Sequence, residues 1–212
     1  HWRECWGDTE AQLPFYMVEI APYRYKPASE VSYASLLRQA QHDAAKAIPN
    51  CGIVVTNDLT ESYEMDNIHP AKKKEVGDRL AYLALNRDYG HSRIACNSPE
   101  AVECYRIDGR NEIAVKLTDC GNGLNRWMEI EGLEVAGSEG IFYPVTFAFY
   151  EWEGKYLRIR SEFVFDPCEV RYGWGDFNPA QCCPLSSVSS HCQRSAFYVV
   201  RFLHRRYTEA HT

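Results

Sequence analysis

The amino-acid sequence predicts an α/β unit followed by an all-β unit, and two observations lead to that prediction. In the first 90 residues, two short apolar runs alternate with two amphipathic helical patterns, as in a parallel sheet covered by helices. After Gly90 the chain consists of short β-type runs separated by glycines, which is typical of a small antiparallel sandwich or barrel. We place the boundary near residues 90–95, so that residues 1–92 form the first unit and residues 93–212 the second.

The first unit contains four predicted elements. FYMVEI, residues 15–20, is a short aromatic and β-branched run that indicates a buried strand. Residues 27–48 repeat apolar or small side chains at helical spacing and predict a helix, and GIVVT, residues 52–56, predicts a second buried strand. Pro70 suits the first turn of a further helix that Gly90 ends. Two strands are too few for such a domain, so we expect its other strands to lie elsewhere.

The second unit contains five β-type runs, which read EIAVKLT, GLEVAG, FYPVTFAFYEW, KYLRIRSEFVF and CEVRYGW. The stretch EWEGKY predicts a hairpin between the third and fourth runs. The tail after about Leu185 is basic and carries a cysteine, unlike the rest of the chain, and we assign it no function.

Composition and charge exclude several classes of partner. The chain has 212 residues, of which 45% are hydrophobic, enough to bury a core. With 23 basic and 29 acidic side chains, its net charge is −6, so nucleic acid is not an expected partner. No apolar run approaches the roughly 20 residues that cross a bilayer, so no membrane association is expected.

The nine cysteines suggest an oxidising compartment and do not suggest a metal site. None forms a C-x-x-C pair, and no cysteine–histidine spacing fits a structural zinc site, so we expect no metal. Because nine cysteines are many for a cytosolic chain, the composition favours an oxidising compartment, and we expect a secreted, periplasmic or lysosomal protein.

An Asp-x-x-His motif, Asp66 to His69, lies in the polar loop after the second predicted strand. In open α/β sheets, ligands bind beyond the carboxyl ends of the strands, which is where this loop falls. A histidine suits proton transfer near neutral pH, and a carboxylate three residues earlier can orient its ring. Asp58, which follows the same strand, is the alternative orienting carboxylate. A solvated loop in which Asp66 or Asn67 caps the next helix would show the same residues.

Several ordered stretches resemble a known family. LPFYMVEIAPYRY, LLRQAQ, IPNCGIVVTNDL and DNIHPAKKKEVGDRLAYLAL, followed by GNGL, GLEVAG, FYPV and VRYGWGDFNPA, resemble sialate O-acetylesterases in their order. These are carbohydrate esterases of the SGNH-hydrolase superfamily. The resemblance covers about residues 2–181. It implies that residues 1–92 are the C-terminal portion of a three-layer α/β hydrolase domain, followed by a β-sandwich-like domain.

The resemblance also implies a mechanism. The expected reaction is removal of O-acetyl groups from sialic acid by a catalytic triad without a cofactor. A serine attacks the acetyl carbonyl, and the histidine of the Asp-x-x-His block takes its proton, which makes His69 the general base and Asp66 its partner. The G-Q-S-N-like segment that carries the serine does not occur in this chain. We therefore expect the N-terminal part of the same enzyme, or a partner chain, to supply the nucleophile.

Arg38 and Gln41 are further candidates. They lie three residues apart on one face of the predicted helix, and the resemblance implies that they contact the substrate or support the active-site loop. An ordinary polar helix face is the alternative. Two other functions stay open, an acetylxylan-type esterase and a non-catalytic glycan-binding module that keeps the β unit.

Overall fold

The computed structural model describes residues 1–25, 33–107, 109–119, 131–151, 153 and 155–177, and the backbone of residues 200–201 and 206–207. These residues belong to two compact units. The first contains His1–Asn97 and residues 175–177, and the second contains Ser98–Trp174 and the two short strands near the end of the chain. No helix in the described residues is both long enough and apolar enough to cross a bilayer.

The first unit alternates strands and helices. Its elements are α1 (Trp2–Cys5), β1 (Phe15–Val18), α2 (Tyr33–Ala47), β2 (Cys51–Val54) and α3 (Lys73–Arg87), with 3₁₀ turns at Asn57–Leu59 and Ser62–Glu64. Strands β1 and β2 pair in parallel, so that Phe15 lies opposite Cys51 and Val18 opposite Val54. The alternation predicted from the sequence is therefore present. Residues 27–32 of the predicted first helix lie outside the described residues.

The first unit extends to Asn97, a few residues beyond the boundary predicted near 90–95. The reason is that the segment after α3 packs back on the unit. Asn86 Nδ2 donates a hydrogen bond to the Ile94 carbonyl at 2.8 Å. Cys96 is buried in the small core of this unit, beside Val54 and Leu83. Helix α3 ends at Arg87, before the stop predicted at Gly90, but the contacts that hold the following segment in place continue to Cys96.

The first unit leaves much of its apolar surface open. Within the described residues, its buried hydrophobic cluster consists of Val54, Leu83 and Cys96, with partly buried tyrosine and leucine side chains around them. In contrast, Leu36 and Leu37 of α2 are about half exposed, at 49% and 48%. The sheet as described has two strands, so β1 has β2 on one edge and no strand on the other.

The second unit consists of two sheets. Its strands are β3 (Glu100–Ile107), β4 (Ile113–Thr118), β5 (Leu133–Ala136), β6 (Phe142–Pro144), β7 (Phe147–Glu151), β8 (Tyr156–Arg160), β9 (Glu169–Tyr172), β10 (Val200–Arg201) and β11 (Arg206–Tyr207). One sheet has the order β11-β3-β4-β8-β7 and the other has the order β10-β9-β5-β6. The predicted hairpin is confirmed, because β7 and β8 pair antiparallel with Glu151 opposite Tyr156.

Two strands of the second unit differ from the prediction. The run FYPVTFAFYEW forms two strands in different sheets, β6 and β7. Pro144 ends β6 because proline has no N–H to donate to a sheet. The Thr146 N–H then donates to the Arg160 carbonyl at 2.9 Å, where pairing with β8 begins. Strand β3 was not predicted, since Glu100, Glu103 and Arg106 hide its apolar positions among charges.

Side chains from both sheets form one core in the second unit. Val115 and Leu157 from one sheet and Val135 and Val170 from the other are fully buried in the same cluster. Two layers that bury each other's inner face are a self-sufficient arrangement.

Candidate active site

The carboxyl ends of β1 and β2 lie side by side because the strands are parallel. Glu19 follows β1 directly, and Thr56 follows β2. The Thr56 hydroxyl donates to the Glu19 carbonyl at 3.3 Å, which links the two strand ends. The Asp-x-x-His loop leaves from this edge of the sheet, at the position where α/β folds bind ligands.

Glu64 closes the loop formed by residues 61–71. The residue is buried, and its two carboxylate oxygens accept hydrogen bonds from the backbone N–H groups of Glu61 at 2.9 Å and Ala71 at 2.7 Å. Its carbonyl accepts the N–H of Asn67 at 2.8 Å. One buried side chain therefore joins the start of the loop to its end, with the Asp-x-x-His motif between them.

His69 lies on the outside of this loop. Its side chain is exposed, and its backbone N–H donates to the Asn67 side-chain oxygen at 3.0 Å, which fixes the turn before Pro70. Within the part of the chain that the structure describes, no side chain forms a hydrogen bond with the His69 ring. The imidazole is thus held by its backbone and presented to solvent at the carboxyl edge of the sheet.

The expected hydrogen bond between Asp66 and His69 is not formed in the structure, and Arg24 holds the carboxylate instead. Arg24 Nη2 lies 2.6 Å from one carboxylate oxygen of Asp66 and 2.5 Å from the other. The Arg24 N–H also donates to the Met65 carbonyl at 3.0 Å, which brings the guanidinium beside Asp66. Both side chains are about half exposed, so the pair is a surface ion pair.

Asp58, the alternative orienting carboxylate, has a different partner. Its two oxygens pair with the guanidinium of Arg79 at 2.7 and 2.6 Å, and both side chains are buried. Arg79 also donates to the Val55 carbonyl at 2.8 Å. This two-pronged pair fixes α3 against the end of β2. Asp58 therefore supports the base of the loop and does not hold the His69 ring.

Neither residue proposed as a helix cap caps α3. The helix begins at Lys73, and Lys72 before it makes no side-chain capping bond. Asp66 pairs with Arg24, and Asn67 accepts the N–H of His69. The motif therefore belongs to the loop and not to the helix terminus.

Arg38 and Gln41 both contact backbone from α2. Arg38 is fully buried and donates to the carbonyl of Gly175. Gln41 accepts the Ile20 N–H at 2.9 Å and donates to the Val18 carbonyl at 3.3 Å. Gln41 thus holds the backbone on both sides of Glu19, at the carboxyl end of β1, whereas Arg38 holds the backbone at Gly175.

A buried carboxylate–histidine pair was missed from the sequence. Glu19 is buried, and one of its oxygens lies 2.7 Å from the Nε2 atom of His42. His42 follows Gln41 on α2, so two consecutive helix residues hold the end of β1. The contacts of Glu19 and Arg24 were not predicted because they join residues far apart in the chain. Those of Glu64 were not predicted because they form only when the loop closes. The one local sign was the Glu61-x-x-Glu64 spacing of a capping box.

Metal ligation has no candidate in the described residues, where no group of three or more histidine, cysteine, aspartate or glutamate side chains is placed to hold an ion. The five described cysteines are free thiols; they are Cys5, Cys51, Cys96, Cys104 and Cys168. The chemistry that this edge of the sheet offers is therefore an exposed imidazole on an anchored loop.

No protein-family model matches the chain, and no curated protein matches it. Among solved structures, a carbohydrate acetylesterase from Xanthomonas citri matches it with a TM-score of 0.76 and 27% sequence identity. The match covers 95% of this chain and 43% of that chain, so the protein spans less than half the length of the esterase. The chain thus shares its fold with part of a carbohydrate acetylesterase.

Proposed function

We propose that the chain is part of a carbohydrate esterase that removes O-acetyl groups from sialic acid by a serine-hydrolase mechanism. In this proposal, His69 is the general base and Asp66 is its orienting carboxylate. The observation that carries the proposal is the exposed His69 on a closed loop at the carboxyl edge of an α/β sheet, in a fold shared with a carbohydrate acetylesterase. The choice of sialic acid rests on the sequence resemblance.

The proposed reaction needs one imidazole acting twice. The His69 ring takes the proton of a serine hydroxyl as the serine oxygen bonds to the acetyl carbonyl carbon. The protonated ring then gives that proton to the sugar oxygen as its bond to the acetyl carbon breaks. In the second half, His69 takes a proton from water as the water attacks the acetyl-serine. The proton returns to the serine oxygen, and acetate leaves.

Asp66 must turn toward His69 for its proposed role. A surface ion pair in water is worth roughly 0–1 kcal/mol, so exchanging the Arg24 contact for the imidazole costs little. In the turnover cycle the ring becomes positively charged, which favours a nearby carboxylate. Arg24 would then remain beside the loop through its backbone bond to Met65.

We further propose that the serine comes from the N-terminal part of the same enzyme or from a partner chain. Two observations support a missing complement. The described part of β1 has a strand on one edge, and Leu36 and Leu37 of α2 face solvent. In a three-layer α/β fold, such surfaces pack against further strands and helices. The complement would bring the nucleophile and the oxyanion donors to the edge that holds His69.

The decisive experiment replaces His69 in the enzyme assembled with its serine-bearing segment. His69→Ala is expected to lower kcat on an O-acetylated sialic acid by about a thousandfold or more, because triad residues act as a unit. Folding should survive, since the side chain is exposed. The matched control is His91→Ala, which removes another exposed histidine and should leave kcat unchanged. A His69→Ala enzyme that keeps more than about a tenth of the wild-type turnover would rule out the assignment.

Further assays test the role of Asp66, the choice of substrate and the source of the nucleophile separately. Asp66→Asn should lower kcat while the thermal unfolding midpoint changes little, because its ion pair is exposed. Activity on acetylated xylan but not on acetylated sialic acid would show that the proposed substrate is wrong, while the proposed serine-hydrolase mechanism would still stand. Without the serine-bearing segment, this chain should show no turnover above a His69→Ala control. Labelling of this chain alone by a fluorophosphonate would reveal a nucleophile within it.

A further inference from the structure

Glu64 occupies an unusual place in the loop. It is only 3% exposed, although it lies in a polar loop at the surface edge of the sheet. Carboxylates are rarely so buried unless their oxygens have partners, because removing an acid from water is costly. Both oxygens of Glu64 have a partner, and both partners are backbone N–H groups of the same loop. The Glu64 side chain therefore lies inside the loop, where both of its oxygens accept hydrogen bonds from the loop backbone.

The two bonded N–H groups lie on either side of the Asp-x-x-His motif. Glu61 starts the loop, and Ala71 ends it two residues after His69. Closing a loop through one side chain removes conformational freedom from everything between the two contacts. The segment that carries His69 thus lies between two backbone groups that the Glu64 carboxylate binds.

We propose that Glu64 is a positioning residue that holds His69 in the geometry needed for proton transfer. The inference rests on the proposed function of His69 as a general base. Proton transfer requires the base to lie within hydrogen-bond reach of the serine hydroxyl, and a displacement of about 1 Å can reduce the rate about a hundredfold. A carboxylate suits this task better than an amide, because two N–H groups need two acceptor oxygens.

The test variant is Glu64→Gln, made in the enzyme assembled with its serine-bearing segment. Glutamine keeps the size of the side chain and one acceptor oxygen, but it turns an NH₂ group toward the other N–H donor. The control is Glu75→Gln, which neutralises an exposed glutamate in the first turn of α3. Active sites are counted by fluorophosphonate titration, so that kcat refers to folded, competent enzyme only. Glu64→Ala, which removes both acceptors, is the second variant.

We expect Glu64→Gln to lower kcat per active site about 10- to 100-fold while KM stays within about twofold, with Glu75→Gln unchanged. Amide exchange gives a readout independent of activity. The N–H of Glu61 or Ala71 should exchange at least about tenfold faster in Glu64→Gln, because one hydrogen bond to a charged group is lost.

Three outcomes decide between the explanations. A Glu64→Gln enzyme with fewer active sites but a normal kcat per site would show a merely structural role and overturn the inference. Unchanged amide exchange at both positions would overturn it as well. If Glu64→Ala fails to fold, Glu64→Gln alone decides. A fully active His69→Ala enzyme would instead overturn the proposed function, which is a separate result from a fully active Glu64→Gln enzyme.

Discussion

In the second unit, side chains from two facing sheets bury one another, and strands such as β4 and β8 contribute fully buried valine and leucine to the shared core. In the first unit, the described hydrophobic cluster has three buried members, while two leucines of α2 remain half exposed. The interior of the first unit is largely polar by comparison, since Glu19, Arg38 and Arg79 are buried there. The difference teaches that the β unit encloses a core between its own two sheets, although Phe163 and Phe165 on its surface are exposed. The α/β unit encloses a much smaller apolar core, which is the arrangement expected if the proposed complement covers it.

Separating the two units should give the largest effect. Residues 98–212 expressed alone are expected to unfold cooperatively, because their core is built from their own sheets. The whole 212-residue chain, without a complement, is expected to aggregate or self-associate through its open strand edge and exposed leucines. Size-exclusion chromatography and thermal circular dichroism measure both. A soluble, monomeric whole chain with cooperative unfolding of both units would contradict the comparison.

A matched pair of leucine substitutions should give the next largest effect. Leu157→Ala removes a fully buried side chain of the second unit and should cost about 2–5 kcal/mol of unfolding free energy. Leu37→Ala removes a half-exposed side chain of the first unit and should cost less than about 0.5 kcal/mol in the chain alone.

Denaturant titrations of both leucine variants, with and without the serine-bearing segment, sharpen this result. If the complement covers α2, Leu37→Ala should become more costly when the complement is present, and Leu157→Ala should not change. An equal cost of Leu37→Ala in both states would show that α2 stays solvent-exposed in the assembled enzyme.

The smallest expected effect is the pH dependence of the Glu64 contact. The hydrogen bond from the Glu61 N–H, with that from Ala71 and the charges of Lys72 and Lys73, lowers the pKa of Glu64 against the opposing effect of burial. A lowered pKa in the folded state means that the carboxylate stabilises the fold above its unfolded pKa. That stability is lost as the pH falls through the folded pKa.

The measurement compares the unfolding midpoints of the wild type and Glu64→Gln across pH. The midpoint difference should be constant, at about a few degrees, from roughly pH 6 to 8. It should start to shrink as the pH falls below about 4, the ordinary range for an unfolded glutamate, and should vanish once the folded carboxylate is also protonated. Glu75→Gln serves as the control and should follow the wild type at every pH. A difference that grows on acidification would contradict the assignment of a lowered pKa.

The order and type of the main elements followed from the sequence. Strands β1 and β2 and helix α3 lie where hydrophobic spacing indicated, because this signal acts over a few neighbouring residues. The helix begins three residues after Pro70 and ends three before Gly90, so these two residues marked its surroundings and not its first turn or last residue. The hairpin between β7 and β8 was predicted for the same reason. Strand β3 and the break at Pro144 were not, since the pairing of a strand with many charges and a change of sheet depend on which surfaces the rest of the fold covers.

The sequence by itself determined that an Asp-x-x-His loop follows a strand of an α/β unit, and with the resemblance it indicated an esterase. Only the tertiary structure decided which side chains surround that loop. It placed Arg24 on Asp66, Arg79 on Asp58 and Glu64 inside the loop. Two of these contacts join residues more than 20 positions apart, and the third depends on how the loop closes. Spacing along a chain reports which groups are near in sequence, but the partner of a carboxylate is chosen by distances that exist only after folding.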